Sequence, residues 1–565
     1  MENEKEATAT TATTPEMLSK DNDNVQTIKV LKPKFDTLTT TELKKHVSGL
    51  TSKVEPTEHG AILTELLECF KPYDFEKSVF PQTEKLRAKF VELQKKLTNP
   101  DGSYNKNTEI ESELKEIEKQ LKAFKLNQKH YIIESIENVL RVAEQKKWGI
   151  CKNANFIYLY NGAYWANIDK DIFQNFLGNA AERMGVAKYD SRWVEFRDKM
   201  FKQFLSASYL PKPEPVKGIV LINLKNGTFE ISPKGNKLRA FDRADFLTYQ
   251  LPFAYEPNAT APQYNTFLNR VLPDIERQNV LAEFLSFVFV PTSILKIEKA
   301  LLLYGTGANG KSVFFDIVCA LLGEENVSNF GLESLLDDKG QTRAKIADKL
   351  LNYVSELKSN IRNGDDNNKL KTLFSGEPIE ARLLYCDPFT IKDYAKFIFN
   401  CNELPKNTEQ TNAYFRRFLI INFDQTIPEN EQDKELSNKI IATELSGVFN
   451  WVLSGLERLL KQRNFSECTA VNEARKQYEL ESDSVNQFIV DSGYIATSTS
   501  RTLLKDIFNE YKSFCIEDGF RPVNKKNFKK RLERMKFVFD QDRDGNFIYL
   551  VKGAIYDTTD LQEPF

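Results

Sequence analysis

Apolar positions along this chain change period several times, and each change marks a different kind of element. From Glu84 they fall at Leu86, Phe90, Leu93 and Leu97, then again at Ile110, Leu114, Ile117, Leu121 and Phe124. Spacings of four and three put each set on one helical face, and the Asn99-Pro100-Asp101-Gly102 turn between them predicts an antiparallel helical hairpin. Between Lys152 and about Pro257 the period shortens to that of strands, at 156–160, 163–165 and 219–222. Asn161-Gly162 and Asn226-Gly227 lie between apolar runs, a hairpin signal because both residue types tolerate φ > 0. Asp171 to Leu205 reads as helix, as do Tyr264–Leu272 and Asn279–Val290.

A short, wholly apolar run at Ala300–Tyr304 then meets Gly305, Thr306, Gly307, Ala308, Asn309, Gly310, Lys311 and Ser312, and a long apolar run to Leu322 follows. This predicts a buried strand, a phosphate loop and a helix whose N-terminus aims its dipole at an anion. The glycines let successive N–H groups turn inward. Lys311 would neutralise the β- and γ-phosphates of ATP, and Ser312 would hold Mg²⁺. Three more apolar runs follow: Leu350–Val354 leads into Ser355-Glu356, Lys396–Phe399 leads into Asn400 to Glu403, and Phe418–Ile421 follows Arg416-Arg417. In a doubly wound sheet, polar residues at such strand ends gather at the ligand crevice. Hydrolysis there needs an acid near Mg²⁺ and water, a polar group that senses the γ-phosphate and a cation for the transition state. Glu356, Asn402 and Arg417 are the candidates. Taken singly, a Glu or Asn after a strand is a turn residue or a cap; their order after one glycine loop is what points to chemistry.

Near the C-terminus the pattern reads helix (485–491), helix (502–518), helix (525–535) and two short strands around Asp544-Gly545-Asn546, a winged-helix order. In the third helix Lys525, Lys526, Lys529, Lys530, Arg531 and Arg534 oppose the single acid Glu533. On a recognition helix such a cluster lies against DNA phosphates.

At 565 residues the chain exceeds one core, so three or four domains are expected. The net charge of −2 names no partner, which leaves nucleic-acid binding to local clusters. Seven scattered cysteines without a Cys-x-x-Cys pair argue for a reducing compartment without structural zinc. Three histidines, none spaced to share a metal with another, exclude a His-x-His nicking centre. No apolar run is long enough to span a membrane, and a cytoplasmic location is expected, in a bacterial or virus-infected cell.

The stretches GTGANGKS, LLNYVSEL, FSGEPIEARLLYCDPF, FIFNCNELP and YFRRFLIINF, in that order, resemble superfamily 3 helicases of the phage and plasmid replication family, which also contains the poxvirus primase-helicase. Upstream, NLKNGTFEI, FAYEP and FLNRVLPD are similar to the domain that precedes the motor in that family, so the resemblance runs from about residue 150 to 465. It implies a ring-forming AAA+-type motor, expected to be a homo-hexamer, that moves on single-stranded DNA and unwinds forked DNA. It also implies that Lys311 and Ser312 belong to the phosphate loop, Glu356 to the acidic motif and Asn402 to the sensor, with Arg417 as the trans-acting arginine finger and Arg416 as runner-up. The family folds a hairpin between Gly376 and Phe389 into the ring channel. Relatives often place a Lys after the aromatic there, whereas here Tyr385 is followed by Cys386, which leaves Arg382 and Lys392 as channel cations. Many relatives carry a primase domain as well, with paired aspartates on a strand and a catalytic histidine in a large α/β domain; residues 1–149 offer neither those strands nor those residues, so a separate primase is the expected partner.

The fold expected is therefore multidomain α/β. A disordered tail (1–57) precedes a helical region with the hairpin (58–150), a small α/β domain (151–262), the AAA+-type P-loop motor (263–465) and a winged helix (484–557). The function expected is that of an ATP-dependent DNA helicase replicating a phage, plasmid or other mobile element. One alternative keeps the ATPase as a regulator that binds DNA through the winged helix without unwinding it; another is a non-catalytic origin-binding scaffold, against which intact Lys311 and Glu356 speak.

Overall fold

The computed structural model describes residues 57–98, 102–153, 155–210, 213–356, 364–384, 387–405 and 411–553. The tail expected before residue 57, and Tyr385 and Cys386, lie outside them. The chain forms two compact units, one from residues up to 213 together with 221–248 and the other from 249 onward with 214–220.

In the first unit, helices Gln82–Lys96 and Thr108–Ala123 form the hairpin that the 4-3-4 spacing predicts, with a Lys89–Glu113 ion pair of 2.5 Å between them. Asn107 caps the second helix by accepting from the N–H groups of Glu109 and Ile110. Strands β1 (Gly149–Asn153), β2 (Phe156–Tyr160) and β3 (Trp165–Asn167) form one antiparallel sheet. A second contains β4 (Val220–Leu224), β5 (Gly227–Ser232) and β6 (Gly235–Arg239). Gly227 has φ 144°, and a Cβ there would stand 2.4 Å from the Arg239 carbonyl oxygen, so the Asn-Gly turn needs its glycine. Two expectations change. The single helix expected over 171–205 divides because Gly185, at φ 108°, caps Lys170–Met184 in the left-handed region, and a new helix starts at Val194. Nor does residue 150 separate two cores: Ile62, Ile136 and Val139 of the helical region share one buried cluster with Leu159, Phe173 and Phe204.

The second unit is built on a parallel sheet of β7 (Ala300–Tyr304), β8 (Val327–Ser328), β9 (Leu351–Val354), β12 (Lys396–Cys401) and β13 (Phe418–Asn422), in the order β13-β7-β12-β9-β8. These strands are almost wholly buried, as continuous apolar runs covered on both faces must be. Between β9 and β12 a small antiparallel pair, β10 (Ile379–Ala381) and β11 (Phe389–Ile391), stands apart from the main sheet. Helix Leu445–Gln462 packs on helix Ile275–Phe287, where a Cβ on Gly455 would meet Ala282 backbone at 2.5 Å. Helix Thr469–Ser482 belongs to the same body, since its Tyr478 packs on Phe415 and Phe418, so this core runs past the boundary expected at 465.

The C-terminal region contains helices Ser484–Asp491, Leu504–Glu517 and Lys525–Arg534 around Phe488, Tyr511, Phe528 and Leu532. Against them lies a sheet of β14 (Tyr494–Leu503), β15 (Phe539–Asp542) and β16 (Gly545–Lys552), in the order β14-β16-β15. Strand β14 was not expected. Its middle is Thr- and Ser-rich and exposed, so no apolar alternation announces it.

Candidate functional site

Strand β7 delivers the chain to the glycine loop at the C-terminal end of the parallel sheet. Gly307, Ala308 and Gly310 have φ of 118°, 48° and 83°, a run of left-handed backbone that turns the chain into the helix starting at Lys311. Gly310 is required twice, because a Cβ there would also lie 2.7 Å from Val271 and 2.9 Å from Phe267 of helix Pro262–Val271. Lys311 is only 7% exposed; its ammonium donates to the Gly305 carbonyl at 2.6 Å and to Asn309 Oδ1 at 3.0 Å. Burial holds its pKa below the ordinary lysine value. Asn309 in turn donates from Nδ2 to the Phe423 carbonyl at 3.1 Å, and the Ile427 N–H donates to the Ala308 carbonyl at 2.8 Å, so the segment after β13 is stitched to the loop.

Around the loop opens a cleft of about 920 Å³. It is lined by Gly307 through Val313, by Glu356 one residue beyond Ser355 at the end of β9, by Asn400 and Asn402 at the end of β12, and by the 427–437 segment beyond β13. Parallel pairing does this: in-register neighbours β7, β12 and β9 all end on the same side, so residues separated by dozens of positions become neighbours. Of the expected site residues, Gly307 to Ser312, Glu356 and Asn402 come together here; Thr306 is exposed, and Gly305 contributes its carbonyl to Lys311. Asn400, which accepts from the Tyr353 hydroxyl at 3.0 Å, and Asp316, one helical turn beyond Ser312, also line the cleft and were not singled out from sequence. Beside them Cys401 is buried and its thiol is pushed up to about 12, which keeps it protonated. Among the described residues, the charged groups lining the cleft are Arg270, Lys311 and Lys434 against Asp316, Glu356, Glu431 and Asp433.

Arg416 and Arg417 stand at the opposite end of the sheet, just before β13 begins, and neither lines the cleft. Arg417, expected from sequence to act on a neighbouring chain, is 8% exposed and engaged inside its own. It donates to Ser375 Oγ at 3.1 Å and to the Ala413 carbonyl, and pairs with Glu298 at 3.3 Å. Such a guanidinium cannot reach outward without abandoning these partners. Arg416, the runner-up, has a side chain 48% exposed and touches the same Glu298 at 2.5 Å. Around them the charge is cationic. Burial, then Arg475 and Arg416, lower Lys299 to about 8.

Two family models match the chain, a "D5 N terminal like" family over residues 129–273 and a family of unknown function (DUF5906) over 303–417. A putative helicase of Acanthamoeba polyphaga mimivirus is 26% identical over 236 residues, covering 39% of this chain and 23% of the relative. Over these segments the chain is similar to a D5-type N-terminal family and to a viral putative helicase. It spans about a quarter of the length of that curated relative. Among solved structures, the apo NrS-1 C-terminal region aligns over 73% of this chain and 98% of its own at 14% identity, with a TM-score of 0.37. The JCV helicase aligns over 39% and 66% at 13% identity, with a TM-score of 0.24. Overlays that loose carry no argument.

The residues expected from the sequence to touch DNA fall in two places. Arg382 follows β10 on the turn side of the β10–β11 pair, whereas Lys392 follows β11 at its base, so these two exposed cations sit at opposite ends and do not form one patch. Buried Arg343, missed in the sequence, fixes the pair by donating to the carbonyls of Glu380, Leu335 and Asp337. On helix Lys525–Arg534, Phe528 and Leu532 face the core, while Lys525, Lys526, Lys530 and Arg534 are exposed and Lys529 is half-buried over the Phe539 ring. Spacings of four align Lys526, Lys530 and Arg534 in one stripe. Arg531 is drawn inward, pairing with Asp483 at 2.8 Å.

Proposed function

We propose that the protein is an ATP-dependent DNA helicase of a phage, plasmid or virus, a ring-forming motor that hydrolyses ATP in the Gly305–Ser312 cleft and translocates on single-stranded DNA. What carries this reading is the convergence of the glycine loop, Glu356 and Asn402 in one cleft whose volume suits a nucleotide. Lys311 would leave Gly305 and Asn309 for the phosphates, its amine already desolvated and so costing little further to bury. Glu356 would orient and accept a proton from the attacking water, and Asn402 would sense the γ-phosphate. The hard oxygen donors Ser312 and Glu356 fit Mg²⁺, which when bound would offset phosphate charge. The transition-state cation would come from a neighbouring copy, and the exposed Arg416 suits that part better than Arg417.

The C-terminal helix would grip duplex DNA through Lys525, Lys526, Lys529, Lys530 and Arg534, acting as the recognition helix of a winged helix. Arg382 would meet the threaded strand near the β10–β11 turn. Priming would fall to a separate protein.

ATPase assays test this. Single-stranded DNA should stimulate hydrolysis in the wild type; Lys311→Ala should lose it, and Glu356→Gln should bind ATP with hydrolysis reduced roughly 100-fold or more. Hydrolysis indifferent to single-stranded DNA would favour a nucleotide-dependent regulator instead.

A further inference from the structure

The helical hairpin lies outside both family matches, which begin at residue 129, and takes no part in the cleft. Its seam is only half closed. Leu93 and Ile117 are buried, but Leu86, Phe90, Ile110 and Leu114 remain partly exposed along the same apolar stripe. Two helices side by side cover one flank of such a stripe and leave the other to water, and helical layers normally close it with a second layer.

The flanks of the seam differ in sign. Helix Gln82–Lys96 carries five cations and two acids, a balance of +3, whereas Thr108–Ala123 carries five acids and three cations, a balance of −2. We propose that the open face of this hairpin docks on the same face of a second copy of the chain, making an antiparallel four-helix contact. Charge selects the geometry. A twofold axis parallel to the helices sets each basic helix over the partner's acidic one, whereas an axis across them stacks like on like, which charged flanks disfavour. Helices of 15 and 16 residues are about 22–24 Å long, so the two faces would bury roughly 900 Å² in total, less than a stable dimer of its own needs. The contact would therefore be weak and salt-sensitive. It does not depend on the reading of the nucleotide cleft.

Sedimentation velocity of the full chain without nucleotide, at low and high salt, tests the pairing. Lys85→Glu with Lys95→Glu, and separately Glu116→Lys with Glu118→Lys, leave the Lys89–Glu113 pair in place; circular dichroism checks that the helices persist. Each double variant alone should self-associate roughly tenfold more weakly than the wild type at low salt. An equimolar mixture of the two, and the chain carrying all four changes, should regain association. A wild type that stays monomeric at roughly 50 μM, well above the dissociation constant of a micromolar contact, overturns the proposal. So does association that either reversal leaves unchanged, or a weakening that mixing does not repair.

Discussion

The two ends of the parallel sheet carry opposite chemistry. At the C-terminal end, the loop after β7, Glu356 and Asn402 surround a cleft whose described acids slightly outnumber its described cations. At the N-terminal end Lys299 lies near Arg475 and Arg416, and burial first, then these two cations, depress its pKa. In one chain the length of a strand separates the two ends, roughly 16 Å for five residues. On the proposed reading a copy of the chain would be half of a hydrolytic site, and a head-to-tail assembly that presents one end to the other would complete it.

The strongest way to break that contrast is to remove its cation. Arg416→Ala should lower the ATPase roughly 1,000-fold while leaving ATP binding and thermal stability nearly intact, because an exposed side chain contributes little to the fold. Arg417→Ala should do the reverse in kind. Losing a buried guanidinium takes a donor from buried Ser375 and leaves Glu298 to Arg416 and Lys296, so this region should lose about 2–4 kcal/mol of stability in chemical denaturation, with activity falling only as the folded fraction falls. If Arg417→Ala proved stable but dead, the two arginines would have to exchange roles.

That distinction was not legible in the sequence. The loop, the buried strands and the polar residues ending them were, because each is a local pattern: glycines where φ turns positive, apolar runs where both faces are covered. Which of two adjacent arginines points inward is decided by Ser375 and Glu298, dozens of residues away or more. Arg343 was invisible for the same reason, since its carbonyl partners are gathered only by the fold. Strand β14 was missed because its middle is solvated and polar, and the shared core of the 58–150 and 151–248 segments because amphipathic helices do not declare which sheet they cover.

A smaller effect sharpens the contrast between a motor that would grip single strands and a C-terminal helix that would grip duplex. Reversing Lys526, Lys530 and Arg534 should leave ATPase stimulation by single-stranded DNA unchanged while weakening duplex binding and flattening its salt slope by roughly 0.9 for each phosphate the helix no longer neutralises. An unaltered slope in filter binding would make that stripe a solvated surface.

Mixing two inactive proteins tests the composite site most directly. Lys311→Ala lacks the loop cation but keeps Arg416; Arg416→Ala lacks the outward arginine but keeps the loop. In random mixed rings about one interface in four would join an intact cleft to an intact Arg416, so an equimolar mixture should recover about a quarter of wild-type ATPase if interfaces act independently. Mixed rings, verified by mass measurement, that remain as inactive as either parent would contradict a site shared between copies.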